Sequence, residues 1–170
     1  MKQIKFIFFL GVIFCTFNYA TCKYSFKDVS PIQADVKNFR VQPLNNRASY
    51  INPQLAPNLS EKLRQKIINT TRLRQTNSDD AHYDISGYIS QYTVTTINIS
   101  GNDPSTNRLN VTFHLIFKNS LDKTKDFEAD VTRNEDFPAT QSLSEAENTI
   151  SDRLVKNLSE EIFNKIFSNW

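Results

Sequence analysis

The end of the chain constrains the fold most. Ala146, Ile150, Leu154, Val155, Leu158, Ile162, Phe163, Ile166 and Phe167 recur with a period of 3.6, which is one apolar stripe along a helix. Ser142-Leu143-Ser144-Glu145 stands just ahead of it in capping-box form, in which serine and glutamate satisfy each other's backbone N–H groups at a helix start. Roughly 25 residues at 1.5 Å each reach about 37 Å, enough to cross a whole sheet. A stripe of that length must be buried against something flat and apolar.

The preceding sequence supplies the flat surface. From Arg108 to Lys118, Leu109, Val111, Phe113, Leu115 and Phe117 alternate with Asn110, Thr112, His114 and Ile116, so one face of a strand meets a core. Lys125 to Arg133 repeats the pattern, with Phe127, Ala129 and Val131 inward and Asp126, Glu128 and Asp130 outward. An earlier strand begins at Tyr83, with Ile85, Gly87 and Ile89 on its inner face; Val94, Thr96, Ile97 and Ile99 continue it after a phase change. Phe39 and Val41 mark a first strand, in a segment 35–44 that Pro43 places at a sheet edge or a strand end. Asn45-Asn46-Arg47 reads as a turn.

Asn52-Pro53 opens a helix, as a cap followed by a first-turn proline. Leu55, Leu59, Leu63 and Ile67 repeat every four residues, and Ile68 widens the stripe. Lys62, Arg64 and Lys66 on the outer face, with Arg72 and Arg74 beyond, make the most basic region; it is either a solvated helix face or a binding patch. The order β-α-β-β-β-α predicts an α+β two-layer sandwich. Two helices pack on one face of a four-stranded, mostly antiparallel sheet whose last three strands form a meander.

At the start of the chain, Lys2 and Lys5 precede an apolar run from Phe6 to Phe14. That run of roughly ten residues is too short to span a bilayer, which takes about twenty. Residues 1–21 are therefore expected to be a signal peptide, residues 22–34 a lipidated N-terminus and tether, and residues 35–170 a single domain. Tyr19-Ala20-Thr21-Cys22 resembles a bacterial lipobox, in which the cysteine is acylated; Tyr19 and Thr21 depart from the usual leucine and small residue. Cys15 lies in the leader, which leaves Cys22 without an intramolecular partner, so a covalent lipid is the expected anchor. Removing the leader leaves 18 Lys and Arg against 18 Asp and Glu. No global field then draws the chain to nucleic acid.

Catalytic chemistry finds little material. There is no glycine-rich phosphate loop, and there are only two histidines. Asp79, Asp80, His82 and Asp84 cluster in sequence, but without a second histidine nearby they read as a solvated turn entering a strand, and no metal is expected. In an antiparallel meander, the connections 101–108 and 133–141 fall at one end of the sheet. That brings Arg108 and Arg133 to a common rim, where two guanidiniums could hold lipid phosphates. Asp103, Glu135 and Asp136 share the rim and could pair with them instead. A rival basic cluster, Lys118, Lys123 and Lys125, lies at the opposite end.

In order and spacing, several short motifs resemble one family. They are Asp35-Val36-Lys37 with Phe39-Arg40-Val41, Asn46-Arg47, Asn52-Pro53-Gln54-Leu55, Thr71-Arg72-Leu73, Ser86-Gly87-Tyr88-Ile89, Asn107-Arg108-Leu109 and Ile162-Phe163-Asn164 with Asn169-Trp170. The chain resembles the LPS-assembly lipoprotein family LptE, in its Bacteroidetes-type form; Leu44 stands where an aromatic is more usual. The resemblance implies a non-enzymatic lipoprotein on the periplasmic side of the outer membrane. It would plug and support an LptD-type β-barrel and help deliver lipopolysaccharide to the cell surface. The alternative of another class is an envelope lipoprotein that activates a periplasmic enzyme.

Overall fold

A computed structural model describes residues 32–97 and 105–168 of the chain. The elements in order are β1 (Asn38–Val41), β2 (Asn45–Asn46), α1 (Leu55–Thr70), β3 (Arg74–Gln75), β4 (Tyr83–Ile97), β5 (Thr106–Asn119), a 3₁₀ turn (Lys123–Lys125), β6 (Phe127–Pro138) and α2 (Leu143–Phe167). The sheet order is β3-β1-β4-β5-β6, with β2 also on β4. β4, β5 and β6 form the antiparallel meander, and β1, β2 and β3 pair in parallel. The α+β sandwich is as expected, but the sheet has six strands rather than four. Asn45–Asn46 is a short strand and not a turn, because Arg47 N–H donates to Ile89 O at 2.9 Å and extends the ladder that Pro43 interrupts.

α1 buries Leu55, Leu59, Leu63 and Ile67, while Ile68 lies outside the stripe and is 44 % exposed. Asn52 starts the helix as anticipated: its Oδ1 accepts from the backbone N–H of Gln54 at 3.0 Å and of Leu55 at 3.2 Å. At the other end Thr71 Oγ1 donates to Ile67 O and accepts from Leu73 N–H, turning the chain into β3. α2 begins with the full Ser142–Glu145 capping box. The whole stripe read from the sequence is buried, in one cluster with both helices and the inner face of the sheet.

β4 keeps Tyr83, Ile85, Gly87 and Ile89 inward, and a bulge between Ile89 and Gln91 then shifts the phase. Tyr92 is the buried residue beyond the bulge, and Val94 is 39 % exposed. Tyr92 donates to Glu147 Oε1 at 2.5 Å and stacks on Tyr50, tying β4 to the first turns of α2. Burial first, then the nearby carboxylate, pushes the Tyr92 phenol above its ordinary range.

Candidate functional site

β6 runs past Arg133 to Pro138, so Arg133 sits inside the strand rather than in the connection that follows it. Two inward positions of β6 are charged, Arg133 and Glu135, and both are answered by α2. Arg133 Nη2 donates to Glu161 Oε2 at 2.6 Å, while its buried Nε has no acceptor. Glu135 is only 6 % exposed and accepts from Arg153 Nε and, at 3.0 Å, from Asn157 Nδ2. A buried carboxylate with two donors is compensated, and removal of either donor would leave charge stranded.

Arg108 lies on the open face, directly across from Asp136. Its Nε and Nη2 donate to the two carboxylate oxygens at 2.7 and 2.8 Å. That bidentate contact holds Asp136 below the usual carboxylate range and raises Arg108. The side chains stay 41 % and 46 % exposed, so the pair stabilises the fold little and remains within reach of a further anion. Arg108 and Arg133 therefore approach the β6 edge from opposite faces of the sheet, yet with Arg153 they line one shallow depression there. Of the acids expected on this rim, Asp136 takes Arg108, Glu135 takes Arg153 and Asn157, and Asp103 lies outside the described residues.

Lys118 is the last residue but one of β5, and Lys123 and Lys125 sit in the 3₁₀ turn that Asp122 opens by accepting from Thr124 N–H. Lys118 is ten residues from Arg108 along β5, about 34 Å at strand spacing. The described chain begins at the lysine end: Arg72 Nη2 donates to Ile32 O at 2.8 Å and to Gln33 O at 2.9 Å. Arg72 of the basic region thus serves the fold. Cys22 lies outside the described residues.

The Asp79–Asp84 segment is answered by β1. Arg40 donates to both oxygens of Asp84 at 3.0 Å and also contacts Asp79; Gln42 adds a bond to Asp84 at 2.7 Å. Burial opposes charge on Asp84, but these donors outweigh it and hold the carboxyl below its ordinary value. His82 Nδ1 accepts from Lys37 N–H at 3.0 Å, which fixes the neutral ring's proton on Nε2. No group of three or more His, Cys, Asp or Glu among the described residues could hold a metal ion.

The open face carries one further constellation that sequence alone did not assemble. Arg47 lies 4.2 Å from the Tyr88 ring, Tyr88 packs on His114, and His114 reaches Asp130 at 2.7 Å and Glu128 at 3.2 Å. The bond to Asp130, then that to Glu128, raises the imidazole above its usual value. The signal was present in part, since His114, Glu128 and Asp130 all occupy outward positions. What was missing is the β5–β6 register that sets His114 opposite Asp130.

Two helices on one face of a mixed sheet, with ionic pairs at its free edge, define a small α+β sandwich domain. The fold is similar to that of a minor lipoprotein from Acinetobacter baumannii, at 15 % identity and TM-score 0.54 over 79 % of this chain and 94 % of that one. It also resembles lipoprotein B from Nitrosomonas europaea (16 % identity, TM-score 0.44, 81 % and 89 % covered). A third likeness is rare lipoprotein B from Shewanella oneidensis (12 % identity, TM-score 0.41, 75 % and 92 % covered). Among curated proteins, none matches the chain in sequence. The profile of the family described as LptE, lipopolysaccharide-assembly, matches residues 36–166. The chain belongs to the LptE family. No helix among the described residues is long and apolar enough to cross a membrane.

Proposed function

We propose that this protein is an outer-membrane lipoprotein, acylated at Cys22 and held on the periplasmic side. In this reading it plugs an LptD-type β-barrel, supports the barrel's assembly and helps deliver lipopolysaccharide to the cell surface. The observation that carries the reading is the family match over residues 36–166, which takes in every element from β1 through nearly all of α2. The work is binding and scaffolding, and the reading assigns no catalytic step. Extraction of outer membranes in mild detergent is expected to recover the chain with a large β-barrel protein, its mature N-terminus an acylated Cys22 by mass spectrometry. Recovery alone, or with a soluble periplasmic enzyme, would reject the barrel role; an unmodified start elsewhere would reject the anchor.

Within this reading Arg108 and Arg133 contact lipopolysaccharide phosphates. Their half-exposed guanidiniums support it, since charge-assisted hydrogen bonds contribute roughly 1.5–3 kcal/mol each. Neutral replacement is the cleaner probe, because a glutamate at 108 or 133 would face Asp136 or Glu161. Arg108→Gln with Arg133→Gln is expected to weaken lipopolysaccharide binding at least about tenfold, the equivalent of one such bond. Unchanged binding, with loss on Lys118→Gln, Lys123→Gln and Lys125→Gln together, would move the site to the other end of the sheet.

A further inference from the structure

β6 is an edge strand, twelve residues held to the sheet by the single ladder it shares with β5. On the open face, charged side chains tie the two strands together twice. One tie is the Arg108–Asp136 pair, whose mutual support keeps both partners ionised across the neutral range. The other passes through His114, and its chemistry depends on a proton.

His114 stands directly opposite Asp130, and Glu128 lies one pleat further along on the same face. Nδ1 is 2.7 Å from Asp130 Oδ1, and Nε2 is 3.2 Å from Glu128 Oε2. An ionised carboxylate only accepts hydrogen bonds, and a neutral imidazole has a single N–H. Both contacts are therefore hydrogen bonds only when the ring carries two protons. A ring with one proton keeps the shorter bond, to Asp130, and turns the lone pair of Nε2 toward the Glu128 carboxylate. That second contact is then repulsive.

The surroundings favour the charged ring. β4 supplies Tyr88, on which the imidazole packs at 5.0 Å, and Arg47 lies over the same Tyr88 ring. Lys118, further along β5, stands across from Asp84 rather than facing the cluster. The helices pack on the other face of the sheet. With His114 protonated, the two cations Arg47 and His114 balance the two anions Glu128 and Asp130; without that proton the group carries net negative charge. The Glu128 and Asp130 side chains are largely exposed, so the proton exchanges directly with solvent.

We propose that His114, Glu128 and Asp130 form a pH-sensitive clamp on the edge strand β6, closed while the imidazolium bridges both carboxylates and opened at Glu128 when the proton leaves. The bond to Asp130, then that to Glu128, raises the folded ring above its ordinary value of about 6.5. The clamp thus contributes in full below about pH 6.5 and is lost as the pH rises through the higher, folded value. It is independent of lipopolysaccharide recognition.

The sequence has two histidines, so comparison with His114→Gln assigns the His114 imidazole signals in an NMR titration. Their midpoint is expected above about 6.5 in the parent, lower in Glu128→Gln and lowest in Asp130→Asn. A glutamine at 128 can accept from the charged ring or donate to the neutral one, so that variant should hold β6 alike in both states. Hydrogen exchange of the β6 amides around Asp130, corrected for its intrinsic pH dependence, reads the clamp itself. Between about pH 6 and about pH 8.5 the parent is expected to lose about two- to fivefold of its protection, the range of a partly exposed ion pair. His114→Gln and Glu128→Gln are expected to lose none. A His114 midpoint at or below about 6.5, or the same loss of protection in the parent and either of these variants, would overturn the proposal.

Discussion

A Leu158→Asp variant is expected to melt about 10 °C or more below the parent, or not to fold. Leu158 is fully buried at the middle of α2, in the cluster that joins both helices to the sheet. Truncating a buried leucine alone costs about 2–5 kcal/mol. The new carboxylate adds a desolvation cost, because an unpaired buried charge is commonly worth about 3–5 kcal/mol or shifts its pKa to avoid ionising. In a domain of this size each kcal/mol moves the melting temperature by about 2–4 °C or more. Lys156→Gln, on the exposed side of the same helix, should change stability by less than about 1 kcal/mol, since it loses only the i,i+4 pairs with Asp152 and Glu160. Thermal melts followed by circular dichroism decide the matter: equal melting of Leu158→Asp and the parent would mean that the stripe does not support the sheet.

That stripe was legible because local periodicity and burial agree over 25 residues. The capping box and the alternating face of β5 were legible for the same reason. The short strands β2 and β3 were not, since two residues carry no periodicity and their parallel partners lie far along the chain. The sequence predicts a β6 that stops near Arg133, because inward charges at Arg133 and Glu135 break its apolar alternation. Phe137, in phase beyond them and buried, is the sequence sign that the strand continues. Those charges are tolerated because α2 supplies Glu161, Arg153 and Asn157, a correspondence visible only after packing. Arg108 and Arg133, expected in the connections 101–108 and 133–141, both lie inside strands, because β5 begins at Thr106 and β6 runs on to Pro138; Arg108 stands across from Asp136.

Gly87→Ala is expected to destabilise the protein by about 2–6 kcal/mol, combining a strained backbone at roughly 1–3 kcal/mol with overpacking at roughly 1–3 kcal/mol. Gly87 has φ +157°, a conformation that side-chain-bearing residues rarely adopt. A Cβ there would stand 2.2 Å from the His114 carbonyl oxygen and 2.5 Å from Phe113 Cζ. The glycine lets the Phe113 ring lean across β4 from its place opposite Ile89. Ring and carbonyl predict different responses to a second substitution. If the ring were the main obstacle, Phe113→Leu would relieve the alanine and the double variant would be more stable than the two single losses imply. The carbonyl belongs to the β4–β5 ladder and cannot move without opening it, so no rescue is expected. Urea denaturation of the parent, both single variants and the double variant measures the coupling. An alanine variant with the parent's midpoint would show that the ladder accommodates the methyl group and that Gly87 is not required.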